Sequence, residues 1–229
     1  NDGFYVVNHM VEDANGCKDT VSHQVTVYAL PLTDFSATQV CEDESTEFTD
    51  LSTITPVDGD YITNYAWSFG NNTQSNLQNP IISYGVEGIY NTQLIVTTNY
   101  GCKDTMIKSV EVYPLPEVDF SFSDGCLNLE TVFTNNLSIS NANTINSIAQ
   151  WNWDFGDGSF STEENPTYLY NQDGVFNVVL TIISNRGCEN SINKSVTIYP
   201  LPHADFIGLN LEGCSPFCSE ISSISTVSG

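Results

Sequence analysis

The chain has 229 residues, 40% of them hydrophobic and 11% aromatic, and its 28 acids against 5 bases leave a net charge of −23. That balance excludes nucleic acid and anionic membrane as partners, because both need a basic footprint. No stretch is long and apolar enough to span a bilayer, and seven cysteines with no CxxC and no Cys/His cluster read as disulfides of a secreted chain, not as a zinc site.

Taken in chain order, the elements repeat. Gly16-Cys17-Lys18-Asp19-Thr20 leads into a strand and then a stiff joint, Val27-Tyr28-Ala29-Leu30-Pro31. Phe35 and Cys41 follow, and then Tyr65, Trp67 and Phe69 alternate with small or polar residues, so that the aromatics share one buried face. Tyr90, Thr92, Leu94 and Val96 line the next strand at period two. Asn99-Tyr100-Gly101 then makes a turn in which glycine suits the left-handed position, and the strand through Val110 and Val112 closes the hairpin.

The same series then begins again. Gly101-Cys102-Lys103-Asp104-Thr105 leads to the joint Val112-Tyr113-Pro114-Leu115-Pro116, then Phe120, Cys126, the Trp151-Trp153-Phe155 strand, and the Phe176-Val178-Leu180-Ile182 strand. Gly187-Cys188-Glu189-Asn190-Ser191 and Ile198-Tyr199-Pro200-Leu201-Pro202 start a third round, with Phe206 and Cys214 after them. Cys17, Cys102 and Cys188 are spaced 85 and then 86 residues apart. Self-similarity at a fixed period is the signature of a repeat architecture.

These spacings predict an all-β chain of tandem immunoglobulin-like sandwiches arranged head to tail as a rod. Residues 1–31 are expected to be the C-terminal hairpin of a preceding repeat, 32–114 and 117–200 two whole repeats, and 203–229 the N-terminal part of a following one. The chain therefore reads as a segment of a longer protein whose targeting signals lie outside it.

Trp153-Asp154-Phe155-Gly156-Asp157-Gly158, followed by Asn165-Pro166, Tyr168, Tyr170, Gly174 and Phe176, resembles the polycystic kidney disease (PKD) domain. The earlier repeat departs from that pattern at Trp67-Ser68-Phe69-Gly70-Asn71-Asn72 but keeps Asn79-Pro80, Tyr84, Gly88 and Tyr90. The Gly-Cys turns and Pro-x-Pro joints are most similar to PKD arrays in giant surface proteins of Bacteroidota. Many of those are exported by the type IX system, among them gliding adhesins and fibrous appendages. The resemblance implies a secreted, cell-surface protein with a structural or adhesive role in gliding or in attachment to surfaces or prey.

Because some PKD domains bind calcium, Asp154 and Asp157 become candidate ligands. The competing role for them is local: Asp157-Gly158 makes a turn, and Asp154 bonds loop backbone. No other cofactor is implied. His9 aligns with inward-facing Leu94 and Leu180 and is expected to be partly buried; His23 aligns with Lys108 and Lys194 and is expected to face solvent; His203 lies in a joint. No histidine or carboxylate set repeats, so neither a triad nor a glycosidase pair is indicated, and no catalytic residue is assigned. Asp19-Thr20-Val21 and Asp104-Thr105-Met106 match an O-glycosylation pattern of Bacteroidota, which makes Thr20 and Thr105 candidates beside the plainer reading of exposed strand starts.

Two disulfide schemes are open. One joins cysteines within a repeat, Cys41 to Cys102 and Cys126 to Cys188. In an immunoglobulin-like order, however, the loop holding Cys41 and the hairpin turn holding Cys102 lie at opposite ends. The strand between them spans roughly 26 Å at about 3.3 Å per residue, and a disulfide tolerates only about 7 Å between Cα atoms. The preferred scheme joins neighbouring repeats, Cys41 to Cys188, and leaves Cys17, Cys102, Cys126 and Cys214 to partners in repeats beyond this segment; Cys218 is unassigned.

The function expected is a stiff stalk or multi-chain fibre whose partners are neighbouring repeats and identical chains. The alternative is an accessory module presenting substrate to a secreted hydrolase.

Overall fold

The computed structural model describes residues 2–55, 59–136, 147–208 and 221–226. Its contacts divide the chain into two units, Asn1–Pro114 and Leu115–Gly229. Every regular element among the described residues is a strand.

The first unit opens with an antiparallel hairpin, β1 (Gly3–Glu12) and β2 (Lys18–Val27), paired from Gly3↔Val27 to Glu12↔Lys18. It forms a two-stranded sheet by itself, with both faces open. His9, expected to be partly buried, is exposed on this hairpin.

A sandwich follows. One sheet holds β3 (Phe35–Ala37), β5 (Ser45–Asp50) and β8 (Ile81–Ser83). The other holds β4 (Val40–Cys41), β10 (Lys103–Tyr113), β9 (Gly88–Thr98), β6 (Ile62–Ser68) and β7 (Gln74–Ser75), in that order. The entering chain therefore starts in the small sheet and crosses to the large one, where β4 pairs in parallel with the end of β10 through Val112↔Val40 and Tyr113↔Cys41.

Period-two alternation decides which side chains go inward. Along β9, Thr92, Leu94, Val96 and Thr98 are all buried, while the residues between them are not. They share the core with Phe35, Phe48, Trp67 and Phe69, each no more than 2% exposed. Rings of this size contribute about 1.5–3 kcal/mol apiece by leaving water. Phe35 meets Trp67 edge-on at 5.1 Å and 73°, the arrangement ring quadrupoles favour.

The second unit builds the same sandwich from the same positions. The small sheet is β11 (Phe120–Phe122), β13 (Glu130–Asn135) and β16 (Thr167–Leu169). The large one is β12 (Gly125–Cys126), β18 (Glu189–Tyr199), β17 (Gly174–Ser184), β14 (Ile148–Asp154) and β15 (Phe160–Ser161). Phe120 meets Trp153 edge-on at 5.1 Å and 75°, matching the pair in the first sandwich. Each buried indole donates to a loop carbonyl ten residues on, Trp67 to Leu77 and Trp153 to Glu163, both at 2.9 Å. Beyond the sandwich, β19 (Phe206–Gly208) pairs antiparallel with β20 (Ile221–Ser223).

Candidate functional site

The acidic turn is held together by hydrogen bonds to its carboxylates. Asp154 Oδ1 accepts from the Gly156 amide at 2.9 Å, and Asp157 Oδ1 accepts from the Ser159 amide at 3.0 Å. The Tyr168 hydroxyl donates to Asp157 Oδ2 at 2.7 Å, and the Phe155 amide closes the turn on the Ser159 carbonyl. Partial burial pushes the Asp157 carboxyl up, but the Tyr168 and Ser159 hydrogen bonds outweigh that and leave it below the ordinary carboxylate range. In the first sandwich an amide does the same work, with Asn71 Oδ1 accepting from the Thr73 amide at 3.1 Å. A neutral side chain thus suffices, which makes the acid a turn residue. Among the described residues no group of three or more His, Cys, Asp or Glu side chains is arranged to hold a metal ion.

Gly156 is fixed by this geometry. Its φ is +80°, and a Cβ there would lie 2.7 Å from the Asn177 carbonyl oxygen and 2.9 Å from the Asn177 nitrogen. The turn packs so closely on β17 that only hydrogen fits.

A second set of residues has a role that the sequence reading did not give them. Lys108 was aligned with solvent-facing positions, yet its side chain is only 41% exposed. It lies over the Phe35 ring at 5.2 Å, donates to the Phe35 carbonyl, and pairs with Asp34 at 2.6 Å. Lys194 repeats each contact, with Phe120 and Asp119. The clamp bridges the two sheets where the first strand leaves the edge of β10 or β18 uncovered, and lysine on such an edge also deters foreign strands. The signal in sequence was the Asp-Phe pair after each joint.

The joint is tied down by the Gly-Cys-Lys-Asp-Thr segment. Asp104 Oδ2 accepts from the buried Thr33 amide at 2.8 Å, and Asn190 Nδ2 donates to the Pro116 carbonyl at 2.8 Å. Tyr28 stacks on Tyr100 at 3.7 Å and 8°, while the Ala29 amide donates to buried Asp60 at 3.0 Å. Thr20 and Thr105 are exposed on β2 and β10, and His23 is exposed.

These bonds set an acid limit on stability. Asp34 and Asp119 are held below the ordinary range by hydrogen bonds from Lys108 and Lys194, and Asp104 by the Thr33 amide. Their folded values lie below the unfolded 3.8, so the stabilisation is present above that pH and is lost as pH falls through the folded values. Urea midpoints measured between about pH 5 and 2.5 are expected to fall below about pH 4, and Asp119→Asn to lessen that fall.

Cys41 and Cys188 are disulfide-bonded, while Cys17, Cys102 and Cys126 form no disulfide within this chain. Cys214 and Cys218 lie outside the described residues. Within a sandwich the two cysteines sit at opposite ends. Cys41 pairs with Tyr113, and Cys102 precedes Lys103 at the other end of β10. Ten residues of strand put them roughly 33 Å apart at about 3.3 Å per residue. Cys126, beside Tyr199, and Cys188, before Glu189, are separated in the same way. A disulfide tolerates only about 7 Å between Cα atoms. A disulfide of this kind persists in oxidising, extracellular surroundings.

Two sandwiches with the same strand order and matching aromatic cores define a tandem immunoglobulin-like repeat protein. The chain belongs to the PKD domain family, whose model matches residues 28–112 and 115–199. It is 41% identical over 51 residues to Collagenase ColA of Bacillus cereus, which is 22% of this chain and 5% of that protein. The chain thus spans only about a twentieth of the length of the curated relatives it matches. Among solved structures it is similar to the PKD1 domain of Vibrio anguillarum Epp, at 23% identity and a TM-score of 0.33 over 37% of this chain and 93% of that one. The PKD1 domain of the Vibrio cholerae metalloprotease PrtV gives 27% identity and a TM-score of 0.33 over 37% and 96%.

Proposed function

We propose that this chain is a structural repeat segment of a very large extracellular surface protein, forming a stiff stalk or a multi-chain fibre for adhesion, gliding or attachment. The observation that carries the reading is one sandwich made twice from the same positions, with a cysteine at each end and two cysteines bonded. In this reading repeats follow head to tail, each Pro-x-Pro joint stiffens the passage between them, and Cys41 is bonded to Cys188 of the next repeat. Cys102 and Cys126 then await repeats before and after. Export by a type IX system to a Bacteroidota cell surface suits the joints and turns.

Non-reducing peptide mapping of this chain is expected to recover Cys41 linked to Cys188, with Cys102 and Cys126 alkylated. A Cys41–Cys102 peptide would overturn the scheme. Electron microscopy of the native assembly tests the role: fibres or threads with one repeat per rise are expected, and a compact soluble particle would refute it.

A second reading follows from the collagenase relatives: an accessory module presenting substrate to a secreted hydrolase. It expects the chain to be retained on collagen fibrils or insoluble polysaccharide, and passage through both without delay would dismiss it.

A further inference from the structure

The acids of the first sandwich crowd its loops, as in Glu42-Asp43-Glu44, and leave the outward face of its large sheet almost bare of charge. On that face, at the alternate positions of β6, β9 and β10 pointing away from the core, there are two charges, Lys103 and Glu111. They have opposite sign and stand at opposite ends of β10, about 27 Å apart at about 3.4 Å per residue. Midway between them is Ile107, 58% exposed, and Ile89 on β9 is 52% exposed. The rest of the face is short and polar or aliphatic, including a cross-strand Ser109–Asn91 bond at 3.3 Å.

We propose that this face binds the same face of a second copy of the chain, about a two-fold axis passing through Ile107. The inference rests on the multi-chain form of the function proposed above. A two-fold axis at the midpoint of β10 lays the strands antiparallel across the interface. Ile107 then meets Ile107, and Lys103 of each copy meets Glu111 of the other, so the charge pattern is self-complementary. Two strands about 37 Å long and a third about 24 Å long, spaced about 4.8 Å apart, cover roughly 500 Å² per partner. A total of roughly 1,000 Å² stands at the threshold of a specific interface and suits weak, reversible pairing. Weak pairing repeated along many chains gains strength by avidity. A protein with a net charge of −23 has few surfaces on which two copies can approach. The second sandwich lacks this one, since Glu189 and Thr197 replace Lys103 and Glu111, and Asp154 adds a further acid.

Sedimentation velocity of the 229-residue chain at physiological salt, from about 10 μM to 1 mM, tests the proposal. A reversible monomer–dimer equilibrium is expected. Lys103→Glu and Glu111→Lys are each expected to weaken it at least about tenfold, and the double swap to restore it to within a few fold. Ile107→Asp is expected to abolish it, with circular dichroism confirming that the variant is folded. A chain that stays monomeric at about 1 mM overturns the proposal. So does a dimer indifferent to the charge swaps, although that result leaves association of identical chains standing through another surface. A glycan on Thr105, within the face and two residues from Ile107, in protein from its natural source overturns it as well. Chain counts from fibre cross-sections decide the multi-chain form separately.

Discussion

Trp153→Ala is expected to unfold the second sandwich while the first keeps its structure. The indole is 1% exposed, touches Phe120 and Phe133, and donates to the Glu163 carbonyl. Truncating a buried tryptophan costs about 3–5 kcal/mol, and the stranded carbonyl adds roughly 1 kcal/mol. A domain of this size holds only roughly 4–13 kcal/mol in all. Urea unfolding followed by fluorescence reads the result, because Trp67 remains as reporter of the first sandwich and Trp151 of the second. The early transition should belong to Trp151 alone. A single transition moving both reporters would show that the sandwiches unfold as one unit.

Gly156→Ala is expected to be the most damaging single-methyl change in the turn, costing about 2–4 kcal/mol. A non-glycine residue in the left-handed region costs roughly 1–3 kcal/mol, and here the added carbon also lands within 2.9 Å of two backbone atoms of Asn177. Neither atom can rotate away, since both belong to β17 in the middle of the sheet. Gly158→Ala is the control. Its φ is +91°, but a Cβ there meets nothing within 4 Å, so only the conformational cost of roughly 1–3 kcal/mol applies. A urea midpoint for Gly156→Ala no lower than that for Gly158→Ala would refute the close-packing argument. Gly70, whose Cβ would lie 2.9 Å from the Asn91 carbonyl oxygen, should behave like Gly156.

The sandwich was legible in sequence because its strands alternate cleanly and because each element is written twice. Leu94 and Leu180 are inward in both copies for the same reason, and the glycines of the hairpin turns adopt φ of +85° and +84°, as expected of Gly101 and Gly187. The turn role of Asp157 was legible too, since Asp-Gly is turn chemistry wherever it occurs. The lysine clamp was not. Lys108 occupies an inward position of β10, and a charged residue there looks like a departure from the pattern until the sheet edge is seen to be open. Alternation tells which face a residue shares but not whether anything covers that face, and the first hairpin stands in a sheet of two strands. The anchoring of each joint by Asp104 or Asn190 depends on residues more than seventy positions away, beyond the reach of any local pattern.

The parallel pairing of β4 with the last residues of β10 has a mechanical consequence. The chain enters a sandwich beside the strand by which it leaves, and the two run in the same direction. Drawing the ends apart therefore slides one strand along the other, so that the bonds at Val40, Cys41 and Glu42 are loaded together in shear instead of being peeled one at a time. Bonds that share a load fail together, which raises the barrier that governs lifetime under force. Cys41 stands within this patch, so its disulfide is anchored at the place where a pull on the repeat is first felt.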